Sequence, residues 1–268
     1  MRKALKIAWM LLLTGITALM VLPLIYMAMM SMTSNFTTTV SWDFSEYSFT
    51  NYERIFVSLD FVRYFLNSAA VVAGAILINV ILGAMAGYGF AKKKFPGRNA
   101  LYYGIILTMM IPGQVTLIPM YIIVSAMGLN NTHFILMLPV VNAFTVFLMT
   151  QSMMSIPDDL LEAARIDGAN ERITFINVVL PVARSAIVSL TIFTFITVWN
   201  DFLWPLVMVS DNHMRTMTLA VAMLRTNYGT NYGLMMAGAT LVFVPPFIGY
   251  VLLQKRFVES IAMSGIKA

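Results

Sequence analysis

The sequence predicts an all-α polytopic membrane protein with six transmembrane helices, and three observations carry that prediction. Of its 268 residues, 59% are hydrophobic and 11% charged, where soluble domains carry about 25% charged residues. Six stretches are apolar for about 20 residues or more, the length that crosses a hydrocarbon core. The Lys and Arg residues fall in short clusters between these stretches, mostly on one side of the implied membrane.

The first stretch, residues 7–32, follows Arg2, Lys3 and Lys6. Its uncharged run is longer than the apolar region of a secretory signal, so it reads as a retained helix. The others run over 68–90, 101–127, 134–153, 186–209 and 234–253, and Asp201 is the one ionisable residue inside any of them. Prolines punctuate several spans, and Ile111-Pro112-Gly113-Gln114 is the best candidate for a functional break, because Gly and a polar side chain adjoin the proline. Gly74, Gly83, Ala86 and Gly87 suit close helix approach in the second span. Residues 33–66 and 210–233 read as loops on the second face, with an interfacial amphipathic helix within 49–65.

Placing the N-terminus inside puts 13 of the 17 Lys and Arg residues on inner segments and four outside. Both termini are therefore expected to be cytoplasmic. The net charge of +5 does not imply nucleic-acid binding, since the cations are dispersed between spans rather than gathered on one domain face. With no Cys and only His133 and His213, neither a thiolate chemistry nor a metal site is indicated. No P-loop pattern occurs, so no catalytic or cofactor residues are assigned and ATP hydrolysis is not expected of this chain.

The informative segment is the loop at 155–185 between the fourth and fifth spans, in an otherwise single domain over 1–268. Ser155 and Asp158 resemble a capping box, and Pro157 suits a first helical turn. A short helix is expected from 157 to 166, ended by Gly168, with Asn170 capping a second helix that ends near Pro181. A solvated loop would explain the charges there, but not a capped helix-turn-helix on the inner face of a compact membrane protein. A rigid knob of this kind suits docking to a cytoplasmic partner.

Glu162-Ala163-Ala164-Arg165-Ile166-Asp167-Gly168-Ala169, followed by Phe175 and Leu180-Pro181, resembles the "EAA" loop of permeases in bacterial ABC importers, closest to the carbohydrate, maltose-permease-like type. Asn67-Ser68, Lys94-Phe95-Pro96-Gly97-Arg98, Trp199-Asn200-Asp201-Phe202-Leu203-Trp204-Pro205 and the tail from Arg256-Phe257 to Lys267-Ala268 also resemble that family, in the same order. The chain departs from it at Ser185, where a proline is common, and at Ser260 and Ser264, where glycines are usual.

The resemblance implies a coupling helix between spans four and five, seated in a cleft of an ATPase subunit. Glu162 and Asp167 would face basic groups, Ala163 and Ala164 would pack into the cleft beside Arg165, and Gly168 would turn the chain. It further implies a bacterial plasma-membrane permease partnered by two ATP-binding-cassette ATPase subunits, a second homologous permease and an extracellular solute-binding protein that delivers sugar. Trp199, Asn200 and Asp201 are candidates for the translocation path or, equally, for tying helices together. The competing reading, a gradient-driven secondary transporter, would carry acidic or His relays in several spans, where this sequence has Asp201. A third, a non-transport interaction protein, would have no use for the coupling loop. Within the same class, the alternative is an importer of a non-sugar solute.

Overall fold

The computed structural model describes residues 2–33, 38–39, 42–228 and 231–265. Among them all regular structure is helical: α1 (Arg2–Ser31), α2 (Thr50–Ser58), α3 (Phe61–Lys92), α4 (Arg98–Leu107), α5 (Gly113–Ala126), α6 (His133–Met137), α7 (Ala143–Met154), α8 (Asp158–Ile166), α9 (Glu171–Thr174), α10 (Leu180–Val182), α11 (Arg184–Trp199), α12 (Leu203–Met208), α13 (Met217–Tyr228) and α14 (Tyr232–Gly265). Three helices are long and apolar enough to cross a membrane unaided: Leu5–Ser31, Phe61–Lys92 and Tyr232–Leu252. Three further spans are bent pairs, Arg98–Met110 with Gly113–Ala126 at 106°, His133–Val140 with Ala143–Met154 at 49°, and Glu171–Val182 with Arg184–Trp199 at 74°.

Each bend has a local cause. Ile111 is extended (φ −90°, ψ 115°) ahead of Pro112, as the pyrrolidine ring demands of its predecessor; the break expected at 111–114 is here. The fourth span yields after Pro139, and Asn142 restarts it by accepting the Thr145 amide at 3.2 Å. In the third pair a π-helical turn spans Phe175–Val179 just before Pro181. Pro181 lacks an amide and crowds the carbonyl four residues earlier, and the wider turn relieves that conflict.

Three expectations need correction. The fifth span is not one helix over 186–209: α11 stops at Trp199, and α12 begins only at Leu203. The presumed loop 210–233 contains α13. By contrast, the second helix of the 155–185 loop ends near Pro181 as expected: it runs to Val182, before the 74° bend that opens α11. The capping box is absent: Ser155 Oγ donates to the Ser152 carbonyl at 2.8 Å, and α8 has no side-chain N-cap. Of the C-terminal tail, Lys267 and Ala268 lie outside the described residues, and Ser260 and Ser264 are helical.

Contacts divide the chain into two compact units. In the first (Met1–Tyr64 with Met217–Pro245), buried Asn51 donates to the carbonyls of Ser31 and Thr33 at 3.0 and 2.8 Å, meeting acceptors at the end of α1. None of the membrane-spanning window of α1 is buried. It is apolar on every side, the composition of a lipid-facing helix.

The second unit (Phe65–Thr216 with Pro246–Ala268) holds a core of Ala84, Met149, Met153, Ile156, Leu161, Val179, Ala183, Ala186 and Leu190. Side-chain size decides how closely α3 and α7 approach. A Cβ at Gly87 would stand 2.7 Å from Met149 Cβ and 2.8 Å from its carbonyl carbon, and one at Gly83 would stand 2.5 Å from Thr145 Cγ2. The same interface buries one polar cluster. Asn79 Nδ2 donates to Thr194 Oγ1 at 2.7 Å, and Thr145 Oγ1 donates to Asn79 Oδ1 at 2.8 Å, which ties α3, α7 and α11 together.

Candidate functional site

The 155–185 segment folds as a helix, a turn and a helix, all inside the second unit. Asp158 and Asp159 occupy the first turn of α8 and Arg165 its last, the arrangement that the helix dipole favours. At its end the Ala169 amide bonds the Ala164 carbonyl at 2.9 Å, and the Gly168 amide bonds that of Arg165 at 3.0 Å. This is a Schellman cap. It requires the left-handed φ of +83° found at Gly168. Asn170 Oδ1 then accepts the Ile173 amide at 2.9 Å and starts α9.

The two faces of α8 differ. Leu161 turns inward with Ile156 and joins the core. Outward stand Glu162, Ala163 and Asp167, with Ala164 half-buried, together with two apolar side chains, Leu160 at 44% and Ile166 at 86% exposure. Among the described residues Glu162 and Asp167 have no ion-pair partner, so both carboxylates are free to meet a partner. Arg165 is not: its Nη2 lies 3.3 Å from Glu171 Oε1.

What seats the knob is a set of bonds from the basic end of α3. Lys92, with a side chain only 6% exposed, donates to the Ile156 carbonyl at 2.5 Å and to Asp158 Oδ1 at 2.7 Å. That ammonium holds the Asp158 carboxyl below its ordinary pKa. Glu171 gathers three donors: Lys93 Nζ, Tyr88 OH at 2.9 Å and Arg165. The Lys93 ammonium also lies 4.8 Å from the centre of the Tyr88 ring. Sequence reasoning assigned Lys92 and Lys93 to topology alone, gave Asp158 only a capping role, and gave Tyr88, Glu171, Leu160 and Ile166 no part in the site. The opposite charges of 92–93 and 158–171 were the only legible hint.

Of Trp199, Asn200 and Asp201, the structure brings one to a cavity. Trp199 is buried against the rings of Phe65 and Phe195, each 5.8 Å away centre to centre. Asn200 Nδ2 donates back to the Ile196 carbonyl at 2.8 Å. Asp201 sits in the break between α11 and α12, where its Oδ1 accepts the Trp204 amide at 3.4 Å. There it lines a cavity of about 870 Å³ with Gln114, Asn142, Phe144, Thr197 and Trp204. A charge in a helix break beside a cavity avoids the cost of lipid exposure.

Membrane-length helices, three bent helix pairs and a helix-turn-helix anchored on the basic end of α3 form an arrangement that suits a transport permease. Residues 79–262 match the family described as binding-protein-dependent transport system inner membrane component, and the chain belongs to that family. It is 32% identical over 212 residues to the lactose transport system permease protein LacG of Rhizobium radiobacter, covering 79% of this chain and 78% of that one. To the arabinooligosaccharides transport system permease protein AraQ of Halalkalibacterium halodurans it is 30% identical over 231 residues, covering 85% and 83%. Its fold is that of a chain in the crystal structure of a bacterial ABC transporter involved in import of the acidic polysaccharide alginate, with a TM-score of 0.79, 22% identity, and coverage of 94% of this chain and 96% of that one. The chain is thus an inner-membrane permease component of a binding-protein-dependent transport system.

Proposed function

We propose that this permease passes a sugar, of oligosaccharide size, delivered by an extracellular binding protein, and that 155–185 is its coupling element. In this reading the whole chain acts as one transmembrane domain with both termini and the 155–185 loop on the cytoplasmic face. A second homologous permease completes the pathway. Two ATP-binding-cassette ATPase subunits hydrolyse ATP, and α8 sits in a cleft of one of them. Relatives named for lactose and arabinooligosaccharides support the sugar assignment.

The observation that carries the coupling role is the seating of α8. A helix fixed by a Schellman cap and bonded to α3 offers outward a small, apolar and uncompensated acidic surface: Ala163, Ile166, Glu162 and Asp167. ATP-driven closure of the ATPases would move that surface as a rigid body and switch the bundle between two arrangements. Asp201, Asn142, Gln114 and Thr197 are the groups proposed to meet sugar hydroxyls in the cavity; Trp199 and Asn200 support that wall.

The test is purification from mild detergent followed by reconstitution. The expected result is a heteromer with a soluble ATPase and a second permease, whose uptake of sugar requires ATP and the binding protein. Uptake driven by a proton gradient in the absence of any ATPase would overturn it.

A further inference from the structure

We infer that the turn between α3 and α4 is a binding site for the phosphate headgroup of an anionic phospholipid. Four cations fall within seven residues here: Lys92, Lys93, Lys94 and Arg98. Two of them are spoken for, since Lys92 and Lys93 pair with Asp158 and Glu171. Neither of the other two makes an ion pair among the described residues, although the Lys94 charge helps lower the Asp158 pKa. Lys94 is exposed. Arg98 bonds only neutral oxygens, its Nη1 donating to the Lys93 carbonyl at 3.2 Å and its Nε to Asn99 Oδ1 at 3.3 Å. Both line a recess of about 330 Å³ together with Phe95, Gly97, Asn99 and Ala100.

The surroundings place this recess at the membrane boundary. The apolar run of α3 ends at Lys92, and α4 begins at Arg98. No residue of α4 is buried, and Leu101 and Tyr103 are 54% and 64% exposed, an apolar surface that acyl chains could cover. Phe90, Phe95 and Tyr102 cluster beside the recess, with ring centres 6.1 Å (Phe90–Phe95) and 5.5 Å (Phe90–Tyr102) apart. The Tyr102 ring, with its polar hydroxyl, is of the kind that settles at the headgroup level, and Phe90 packs against it. Two cations outside any ion pair over a polar recess, with an aromatic cluster beside it, suit a phosphodiester whose acyl chains run along α4. A soluble anion would gain from the cations but not from the exposed rings. An acidic protein face would need a flat surface, where the charges here line a recess.

The experiment counts lipids kept by the full chain after delipidation and titration with phosphatidylglycerol or phosphatidylcholine, read by native mass spectrometry. Wild type is expected to retain phosphatidylglycerol in preference to phosphatidylcholine. Each cation near a bilayer surface is worth about fivefold, so Lys94→Gln with Arg98→Gln should weaken retention about thirtyfold. Lys94→Arg with Arg98→Lys should keep it. Equal retention of the two lipids by wild type, or unchanged retention by the Gln variant, overturns the site. Displacement by inorganic phosphate at equal concentration would instead make it a free-anion site. Loss of a co-purifying ATPase with lipid retention intact would make it a protein-docking face, and either result overturns the lipid assignment. If the Gln variant aggregates, the salt series on wild type decides: retention of phosphatidylglycerol must fall with added salt, and insensitivity to salt overturns the proposal.

Discussion

Lys92, the last residue of α3, reaches Asp158, the first residue of α8, at 2.7 Å, and holds the buried Ile156 carbonyl with the same ammonium. One side chain therefore joins the end of a membrane span to the start of the knob. A nearly buried lysine holding an otherwise unmet carbonyl is an anchor, whereas an exposed ion pair of the same length would contribute little.

Lys92→Ala should cost about 1–3 kcal/mol, because the Ile156 carbonyl loses its donor inside the core. Chemical denaturation in detergent measures this. The pairing of Lys93 with Glu171 is more exposed, so its reversal tests geometry more than stability: Lys93→Glu should impair uptake, and Lys93→Glu with Glu171→Lys should recover most of it. Failure of the double reversal to recover uptake would show that the pair does not position the loop.

Acid should loosen the same anchor. The Asp158 pKa is lowered by Lys92, so its contribution is complete above the ordinary Asp value near 3.8. It disappears as pH falls through the still lower folded value. Asp158→Asn should flatten the acid limb of a stability profile below about pH 4.

At Gly168 the penalty for substitution is conformational rather than steric, since an added Cβ meets nothing within 4 Å. Gly168→Val should therefore cost about 1–3 kcal/mol locally and abolish uptake or ATPase association while leaving membrane insertion intact. Gly168→Asn should be far milder, because Asn tolerates left-handed angles. Equal behaviour of Val and Asn would remove the backbone explanation.

The two faces of α8 predict opposite outcomes. Leu161→Ala, in the core, should lose about 2–5 kcal/mol of stability. Ile166→Asp, on the 86% exposed face, should leave stability within about 0.5 kcal/mol while abolishing co-purification of the ATPase.

In α3, two glycines two residues apart should respond in opposite directions. Gly87→Ala forces a methyl against Met149 and should cost about 1–3 kcal/mol. Gly89→Ala meets nothing and should gain about 0.5–1 kcal/mol from helix propensity. Thermal unfolding in detergent distinguishes them.

The six-span class was legible because apolar runs must cover the hydrocarbon thickness, and composition states that directly. The Gly168 turn and the Asn170 cap were legible too, since each depends on chemistry within a few residues. The capping box at Ser155 failed for the same local reason: the Ser152 carbonyl was a nearer partner. Helix ends inside a hydrophobic run left such a trace at Pro112-Gly113 but none at Trp199. The stop at Trp199 goes with the packing of Phe65 and Phe195 and with Asp201 accepting the Trp204 amide, none of which hydropathy records. The anchors on Lys92 and Lys93 join residues more than 60 positions apart, and only the folded arrangement brings them together.

The solitary first helix has a consequence for biogenesis. Because none of the spanning window of α1 is buried, the translocon could release it into lipid while the following spans are still on the ribosome. Its hold on the remainder is fastened later, when Asn51 emerges and ties down Ser31 and Thr33. Asn51→Leu would leave the helix inserted but unmoored, a fault of assembly rather than of targeting.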